Sequence, residues 1–387
     1  MHRRGFIETG GSAALGLALG GCAPRTAPAP PPALPPRGRR VALAPVHCST
    51  DRIIRTVTGL RPHRDSGFLL RADRLDDRTV IHHYGHGGAG MSLSWGTASL
   101  AADLALAHGV RRAAVLGAGI IGLTSARELQ RRGFDVTIHA KALPPDTTSD
   151  RSLACWTPIA GLVSPEARTP EWDAQFRRAV TLAYLEHQRL AGPRYGVSWI
   201  DEYQLANQLP IDPPGGWLNP IADLLPPEVE RGSELLGPGD HPFGTRYATR
   251  HRTLRFEPSV YLDALTRDVI ESGGRMVIRS FDTPQDLMAL PESLLVNCTG
   301  LGAGALFGDE ELVPVKGQLT VLTPQPEVTY MVGGMMPRSD GIVLNGGMNQ
   351  RGDWSLEVDE VHQRLVVERY RAIFDAMRRP ARGGKDS

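Results

Sequence analysis

The sequence predicts an α/β fold in which a dinucleotide-binding domain is interleaved with a second, strand-rich domain. The segment AAVLGAGIIGLTSARELQRRG (113–133) has the pattern of a buried strand, a glycine turn and a helix that ends at Gly133. A second glycine turn, VIHHYGHGGAG (80–90), precedes it in the chain. The region 313–354 is rich in strand-forming residues and has turns near Gly341 and Gly346.

The composition is that of a globular protein. The chain has 387 residues, enough for one large or two ordinary domains, and 41% of them are hydrophobic, which supports a sizeable core. The formal net charge of +1 argues against a nucleic-acid-binding surface.

Residues 1–22 have the features of an export signal. A pair of arginines, Arg3 and Arg4, precedes a short run of small and apolar residues that ends at Cys22. This run is too short and too rich in glycine to span a bilayer as a helix. It resembles a twin-arginine signal joined to a lipoprotein cleavage box, which implies a periplasmic or cell-envelope protein tethered to the membrane only through lipidated Cys22. The proline-rich stretch that follows, 23–40, is expected to form a linker.

The remaining elements alternate between strands and helices. Hydrophobic periodicity and glycine stops predict a strand at 136–141, helices at 171–192 and 261–274, strands at 275–280 and 293–300, and a closing amphipathic helix at 358–379.

The glycine turn after the first of these strands matches the fingerprint G-x-G-x-x-G of a Rossmann-type domain. Gly117 permits the tight turn, Gly119 lets the backbone approach a pyrophosphate, and Gly122 lets helix and strand pack closely. The helix N-terminus then offers free N–H groups and a partial positive charge to the phosphates. The acid expected at the end of the second strand is replaced by Ala140 and Lys141. Because a lysine suits a phosphate better than a ribose hydroxyl, NADP remains an alternative cofactor on this feature alone.

Several stretches together resemble the D-amino acid oxidase family. They are HYGHGGAGMSLSWG, LGAGIIGLTSA, ALPPDTTSDRSLACWTP (142–158), VNCTGLGAGAL (296–306), IVLNGGMNQRGDWS (342–355) and RIIRTVTGLRPHR (52–64). The resemblance covers nearly everything from residue 43 to about residue 380. It implies an FAD-binding domain formed by 76–165 and 255–305, and a substrate domain formed by 41–75, 166–254 and 306–380.

The order of these stretches differs from that of the family. In the family the fingerprint begins the chain, and the TGLRP and HYGHGG segments end it. Here the ending segments, 43–108, come first and join the fingerprint through AHGVRR (107–112). The sequence therefore predicts a circular permutation, which is physically reasonable because domain termini often lie close together.

The resemblance implies FAD as cofactor and assigns residues to its site. They come from the fingerprint, the end of the following strand, the threonine-rich loop, the 296–306 stretch and the first glycine turn. These residues are Gly117, Ala118, Gly119, Ile120, Ile121, Gly122, Lys141, Thr147, Thr148, Ser149, Thr157, Thr299, Gly300, Gly87, Gly90, Met91 and Ser92.

The resemblance also assigns three residues to the substrate. Arg61 is expected to clamp the substrate carboxylate, since a guanidinium can grip a carboxylate with two parallel hydrogen bonds. The backbone carbonyl of Gly88 is expected to receive the amine, and Tyr330 falls where the family has a mobile active-site tyrosine. A second family tyrosine is replaced by Gly334, which is expected to leave space near the carboxylate.

A metal site is not predicted. His82, His83 and His86 lie close together, but His82 and His83 would point to opposite faces of a strand. No nearby cysteine or carboxylate spacing supports a metal.

The predicted activity is FAD-dependent oxidative deamination of D-amino acids to imino acids, which hydrolyse to keto acids, with O2 reduced to H2O2. The alternatives are a related flavin oxidase acting on glycine or a small amine, an NAD(P)-dependent dehydrogenase, and a flavin-binding lipoprotein without catalysis. The oligomeric state and the preferred side chain are not predicted.

Overall fold

Two β-sheets and seven α-helices form the part of the chain that this computed structural model describes, residues 41–209, 221–229 and 232–378. The predicted export signal, its Cys22 and the proline-rich linker lie outside the described residues. Among the described helices, none is both long and apolar enough to cross a membrane.

The helices and strands alternate through most of the chain. The strands are β1 (Ile53–His63), β2 (Leu69–Leu75), β3 (Arg78–Tyr84), β4 (Arg112–Leu116), β5 (Asp135–Ala140), β6 (Val197–Ala206), β7 (Glu234–Leu236), β8 (Tyr247–Phe256), β9 (Arg275–Ile278), β10 (Leu294–Asn297), β11 (Val313–Leu322), β12 (Tyr330–Val332), β13 (Met335–Arg338), β14 (Gly341–Asn345) and β15 (Gln350–Arg351). The helices are α1 (Gly90–Ala107), α2 (Ile120–Arg131), α3 (Pro170–Arg189), α4 (Pro258–Glu271), α5 (Pro284–Leu287), α6 (Gly302–Phe307) and α7 (Glu360–Asp375). The helices and strands predicted from periodicity are confirmed, with shifts of a few residues at their ends.

Six strands form a mainly parallel sheet in the order β2-β3-β10-β4-β5-β9. Only β2 runs antiparallel to its neighbour, β3. If the parallel strands are numbered 1 to 5 as β4, β5, β9, β10 and β3, their order across the sheet from β9 to β3 is 3-2-1-4-5. This is the order of a doubly wound sheet. In that order β3 occupies the fifth place, although it comes first along the chain. The order reverses between β4 and β10, so a crevice opens at the carboxyl ends of these two strands.

Both faces of the parallel sheet are covered by helices. On one face, α1 packs against α2 and α3, and α4 packs against α2. The approach of α1 to α3 is close: a Cβ atom added to Gly96 would lie 1.8 Å from the Ala179 carbonyl oxygen. On the other face, Leu287 and Leu306 pack against the sheet residues Leu116 and Leu295. Two elements assigned above to the substrate domain, β2 and α3, therefore pack with the dinucleotide-binding domain.

The second sheet has nine strands, ordered β1-β11-β14-β13-β12-β6-β8-β7, with β15 pairing to β11. One face of this sheet packs against α7 and the segment 41–49. The opposite face meets residues 153–155 of the dinucleotide-binding domain, where Leu153 packs against the two hydrophobic clusters that contain Met336 and Val343. The two sheets thus meet along the face that carries the side chain of Arg61.

Candidate active site

The fingerprint turn between β4 and α2 has the shape that a pyrophosphate requires. Gly117 has φ +106°, and a Cβ atom there would lie 2.6 Å from the Cys298 carbonyl oxygen. A Cβ atom on Gly122 would lie 2.0 Å from the Gly117 carbonyl oxygen. The first turn of α2 contains no acidic residue, so its partial positive charge is not neutralised. These residues fit a dinucleotide phosphate at the helix N-terminus.

The threonine-rich loop reaches the same helix end. Ser149 Oγ accepts a hydrogen bond from the Ile120 backbone N–H at 2.9 Å, and a Cβ atom on Gly119 would lie 3.1 Å from that oxygen. Thr147 donates to Asp150 at 2.7 Å, which closes the turn that includes Thr148. The structure therefore brings this predicted loop and the fingerprint together.

The third part of the crevice is the turn after β10. A Cβ atom on Gly117 would lie 3.5 Å from the Thr299 Cα atom, so Thr299 lies directly against the fingerprint. Gly300 has φ +59°, and a Cβ atom there would lie 3.9 Å from Pro62 in β1. This turn connects the dinucleotide crevice to the strand that carries Arg61.

The first glycine turn, after β3, lies at the same edge of the sheet. The Gly87 backbone N–H donates to the Pro62 carbonyl at 2.8 Å. Gly90 begins α1, and a Cβ atom added to it would lie 4.0 Å from Ile121 Cδ1 at the start of α2. Because β3 and β4 flank β10, the two glycine turns are neighbours in space as well as in sequence.

Ser92, in the first turn of α1, connects this region to residue 157. Its hydroxyl accepts a hydrogen bond from the Thr157 backbone N–H at 2.8 Å, and the adjacent Met91 is buried. The backbone around 160 also packs against the glycine turn, since a Cβ atom on Gly88 would lie 2.9 Å from the Ala160 carbonyl oxygen. The predicted residues of the first glycine turn and Thr157 are thus brought together.

Arg61 lies on β1 next to this turn and is partly buried. Its Nη1 atom donates to Asn349 Oδ1 at 3.0 Å and to the Met348 carbonyl at 3.3 Å. A Cβ atom on Gly317 would lie 2.6 Å from Arg61 Nη2, so the guanidinium lies directly against the Gly317 backbone. Burial lowers the pKa of this guanidinium. Within residues 41–209, 221–229 and 232–378, no carboxylate forms an ion pair with it, so its charge is available to a ligand carboxylate.

Sequence reasoning missed a polar group that adjoins Arg61. His63 lies two residues further along β1, with Nε2 3.0 Å from Asp65 Oδ1 and Nδ1 3.1 Å from the Gly161 carbonyl. Arg351 donates to both oxygens of Asp65, at 2.9 and 2.7 Å, and this hydrogen bonding lowers the pKa of the Asp65 carboxyl. The only sign of this group in the sequence is that residues 61 and 63 are two positions apart, which places their side chains on one face of a strand.

Tyr330 is not brought to this site. It lies on β12, which three strands separate from β1 in the sheet, and its side chain is only 1% exposed. Its hydroxyl donates to the Ala44 carbonyl at 2.7 Å, and its ring packs against Tyr203. The alternation of side chains along β12 turns Tyr330 toward α7, whereas Met331 faces the dinucleotide-binding domain. The family motif places Tyr330 in a strand but does not indicate which face of the sheet its side chain occupies.

The expected space at Gly334 is also absent. Gly333 and Gly334 have φ values of +56° and +91° and form the tight turn between β12 and β13. A Cβ atom on Gly334 would lie 3.2 Å from Tyr370 Oη. Glycine is required here by the turn, so this position offers no cavity for a substrate carboxylate.

The histidines near the first glycine turn are buried and have protein partners. His83 Nδ1 lies 2.9 Å from Ser125 Oγ, and His86 Nε2 lies 3.1 Å from Thr97 Oγ1. Burial lowers the pKa of His83 well below its usual value and that of His86 to about 3. Across the described residues, no group of three or more metal-ligating side chains is assembled.

Lys141 directly follows β5 and is exposed. A second basic residue, Arg279, contacts the last residue of β5. The backbone N–H of Arg279 donates to the Ala140 carbonyl at 2.9 Å. The end of β5 therefore carries positive charge where the fingerprint usually has an acid.

Comparison with known proteins agrees with the resemblance seen in the sequence. The chain is 28% identical to D-aspartate oxidase of Homo sapiens over 271 residues, which cover 68% of this chain and 75% of that protein. It is 29% identical to D-amino-acid oxidase of Rubrobacter xylanophilus over 282 residues, covering 70% and 79% of the two chains. A glycine oxidase structure from Bacillus cereus matches with a TM-score of 0.49 at 15% identity, covering 69% of this chain and 79% of that one.

The family assignment comes from residues 112–384, which match the model of the DAO family, described as FAD dependent oxidoreductase. The cofactor of this family is FAD, so the NADP alternative suggested by Lys141 is not adopted. The fingerprint turn and the Ser149 loop fit such a cofactor. The protein is a member of the DAO family of FAD-dependent oxidoreductases and an enzyme of D-amino acid oxidase type.

Proposed function

We propose that this enzyme oxidatively deaminates D-amino acids, giving imino acids that hydrolyse to keto acids, with O2 as the final electron acceptor. The observation that carries the proposal is the position of Arg61, a partly buried cation beside the Gly87–Gly88 turn and next to the dinucleotide crevice. Bound FAD supplies the two-electron oxidation of the bond between Cα and nitrogen. The remaining tasks, which are binding and orientation, fall to residues of this chain.

Arg61 is proposed to bind the α-carboxylate. Its present acceptors are an amide oxygen and a backbone carbonyl, both neutral. A carboxylate would replace them with charge-assisted hydrogen bonds, which are roughly twice as strong as neutral ones. A bidentate pair also fixes the orientation of the amino acid, which brings its Cα–H to a defined place.

Gly88 is proposed to receive the substrate amine through its carbonyl oxygen. The turn is held in place on both sides, by the bond from Gly87 N–H to the Pro62 carbonyl and by the close packing of Ala160. Because no Cβ atom fits at Gly88, the backbone itself forms this wall of the site. The carboxylate and amine contacts would then come from two segments joined by one backbone hydrogen bond.

A circular permutation is proposed for the order of the chain. The strand β3 fills the fifth place of the parallel sheet, beside β10, and β1 pairs with β11 over its whole length. The two ends of the described chain also contact one loop: Val41 N–H donates to the Asp240 carbonyl at 3.0 Å, and Arg378 N–H donates to the Pro242 carbonyl at 2.8 Å. A circular permutation requires that two chain ends lie close enough to be joined, and these two ends do.

Export and membrane tethering through Cys22 are proposed from the sequence alone. A twin-arginine route moves folded proteins, and FAD binding requires a folded domain before export. The signal and the cofactor are therefore compatible with each other.

Anaerobic titration of the purified yellow protein tests the proposed activity. We expect D-alanine or D-aspartate to bleach the flavin absorbance, the corresponding L-amino acids not to do so, and readmitted O2 to restore the colour and yield H2O2. Bleaching by glycine or simple amines alone would point to the related amine oxidase. A yellow protein that no amine reduces would overturn the proposal and favour a flavin-binding protein without catalysis.

A further inference from the structure

A row of three polar side chains, of which two are buried and Asp73 is partly exposed, leads from the outer edge of the parallel sheet to the dinucleotide crevice. Asn297, the last residue of β10, is fully buried and stands beside His82 of β3 in the sheet register. Asn297 Nδ2 lies 3.1 Å from His82 Nδ1, and His82 Nε2 lies 3.5 Å from Asp73 Oδ2 on β2. At the other end, Asn297 Oδ1 accepts hydrogen bonds from Thr299.

The direction of these hydrogen bonds is fixed by one backbone group. Thr299 N–H lies 3.2 Å from Asn297 Oδ1, and a backbone N–H can only donate. The amide oxygen of Asn297 must therefore face Thr299, and its NH2 group must face His82. Because an NH2 group can only donate, His82 Nδ1 must be the acceptor, which leaves the ring proton on Nε2, facing Asp73.

The same arrangement orients the Thr299 hydroxyl. Thr299 Oγ1 donates its proton to Asn297 Oδ1 at 2.7 Å, so its lone pairs point away from Asn297. Thr299 lies against Gly117, at the place where the strand order reverses and FAD is expected to bind. The lone pairs of the hydroxyl are thereby left free to accept a hydrogen bond from a group bound in this crevice.

We propose that Asp73, His82 and Asn297 are positioning residues that orient the Thr299 turn for FAD, and that this orientation requires neutral His82. A second proton on His82 would place an N–H opposite the NH2 group of Asn297. The Asn297 side-chain amide could not rotate by 180° to accept that proton, because its oxygen would then lose the hydrogen bond from the Thr299 N–H. Acid should therefore release the turn and weaken FAD binding. The inference assumes an FAD site in this crevice and makes no assumption about the substrate.

The surroundings of His82 favour the neutral ring. Burial is the largest influence and lowers the pKa of His82 below its usual value of 6.5, against an opposing effect of Asp73. Arg71 on β2 and Arg64 lower the pKa, and Asp309 raises it. The aromatic rings of Tyr84 and Phe307 enclose the imidazole. Since the folded pKa lies below the value of an exposed histidine, the orientation is complete above pH 6.5 and is lost as pH falls through the folded pKa.

Two substitutions of His82 separate its hydrogen bonding from its titration. His82→Asn keeps an acceptor for Asn297 but cannot titrate, so its FAD affinity should remain close to that of the unmodified protein at pH 8 and should vary less as pH is lowered below 6.5. His82→Leu leaves the Asn297 NH2 group without a partner and should weaken FAD binding roughly tenfold at every pH. His108→Asn is the matched control, because His108 contacts Thr79 at the opposite end of β3. The readout is the quenching of FAD fluorescence when the apoprotein is added.

Thr299 provides the conservative pair at the other end of the row. Thr299→Ser keeps the hydroxyl and should retain FAD affinity, whereas Thr299→Val removes it and should weaken binding by a similar factor. Equal FAD affinity of folded His82→Leu and the unmodified protein would overturn the proposal, as would an unchanged pH dependence in His82→Asn.

A measurement without flavin covers the case in which a variant does not fold. Nitrogen-15 NMR of the unmodified apoprotein should show His82 as the neutral Nε2–H tautomer at pH 7.5, and an Nδ1–H tautomer would contradict the proposal. These tests use FAD binding and tautomer state, not turnover. A protein that binds FAD through this row but oxidises no D-amino acid would overturn the proposed function and leave the positioning role intact.

Discussion

The backbone N–H of Gly87 donates to the Pro62 carbonyl at 2.8 Å, which ties the first glycine turn to the strand that carries Arg61. The proposed carboxylate clamp and the proposed amine acceptor, Gly88, therefore have a fixed spacing set by backbone. Side-chain flexibility enters only through Arg61 itself, whose guanidinium lies directly against the Gly317 backbone. Such preorganisation fixes where the carboxylate and the amine of a bound amino acid would lie.

Replacing Arg61 should reduce substrate affinity without removing the cofactor. Arg61→Ala loses a charge-assisted bidentate pair, about 2–4 kcal/mol, which corresponds to roughly 30- to 1000-fold weaker binding. The substrate affinity of Arg61→Lys should lie between those of the unmodified protein and Arg61→Ala, because an ammonium group keeps the charge but lacks the planar fork of a guanidinium. The measurement is anaerobic flavin reduction titrated with D-alanine, with flavin content determined separately.

Arg55→Ala is the matched control for this test. Arg55 lies on the same strand but is exposed and pairs with Asp340. Its loss should change D-alanine affinity little, since surface ion pairs contribute about 0–1 kcal/mol. Unchanged D-alanine affinity in Arg61→Ala would show that the clamp lies elsewhere.

Gly122→Ala should abolish stable FAD binding. The added Cβ atom would lie 2.0 Å from the Gly117 carbonyl oxygen and 2.8 Å from its carbon, so the fingerprint turn would have to move. Moving it displaces the N–H groups that meet the pyrophosphate. We expect a colourless or weakly coloured protein, measured by the ratio of flavin to protein absorbance. Gly232→Ala, where no atom lies within 4 Å of the new Cβ, should bind FAD normally.

Acid should destabilise the fold through buried histidines. Burial holds the pKa of His86 at about 3 and that of His187 at about 4, and lowers that of His83 well below its usual value. The unfolded chain takes up these protons near pH 6.5. Stability is therefore full above pH 6.5 and falls as pH drops toward the folded values, by about 1.4 kcal/mol per pH unit for each histidine.

Urea unfolding between pH 7.5 and pH 5 measures this dependence. His86→Asn should reduce the slope of unfolding free energy against pH by about one proton. A stability that does not vary with pH over this range would contradict the expected burial of neutral histidines.

The sequence predicted the fingerprint turn and its surroundings well because each of those features is local. Gly117 and Gly122 are required by backbone spacing within one strand, turn and helix, and the strand and helix patterns around them are strong. The hydrogen bond between Ser149 and Ile120 joins two separate family motifs, and the sequence predicted only that both residues belong to the cofactor site. By contrast, the sequence placed residues 69–75 in the substrate domain, whereas the structure pairs them, as β2, with β3 of the parallel sheet. An alternating pattern does not specify which neighbour a strand pairs with.

Tyr330 and Gly334 were misplaced for a different reason. A motif places a residue in a strand, but the face it occupies depends on what covers each side of the sheet. Here α7 and the segment 41–49 cover one face, and the hydroxyl of Tyr330 finds its acceptor in Ala44. No local pattern indicates that long-range contact. The group formed by His63, Asp65 and Arg351 was missed because its members come from two distant parts of the chain.

Export and lipidation can be tested separately. Changing Arg3 and Arg4 to Lys should leave FAD-containing protein in the cytoplasm, because twin-arginine export depends on the guanidinium pair. Changing Cys22 to Ala should release the exported protein from membranes, since the acyl chains are lost. Cell fractionation followed by flavin fluorescence measures both. Normal export of the lysine variant would remove the twin-arginine proposal, and tight membrane association of the alanine variant would count against lipidation.

Reversing the proposed permutation should give a folded, FAD-binding protein. Residues 43–110 would be moved behind residue 380 and joined by a short flexible linker, so that the chain begins just before β4. Every strand pair of both sheets can be kept, because β1 and β3 pair with β11 and β10 wherever the chain is cut. The linker has little distance to span, since the contacts of Val41 and Arg378 lie within one loop, at Asp240 and Pro242. We expect circular dichroism and flavin content close to those of the natural order, and flavin bleaching by the same D-amino acids. As a control, the same residues joined through a linker too short to reach should unfold or lose FAD. A rearranged protein that is soluble and folded but binds no FAD would show that the order of the segments matters to the site, and that the first 110 residues are not the displaced end of the same domain.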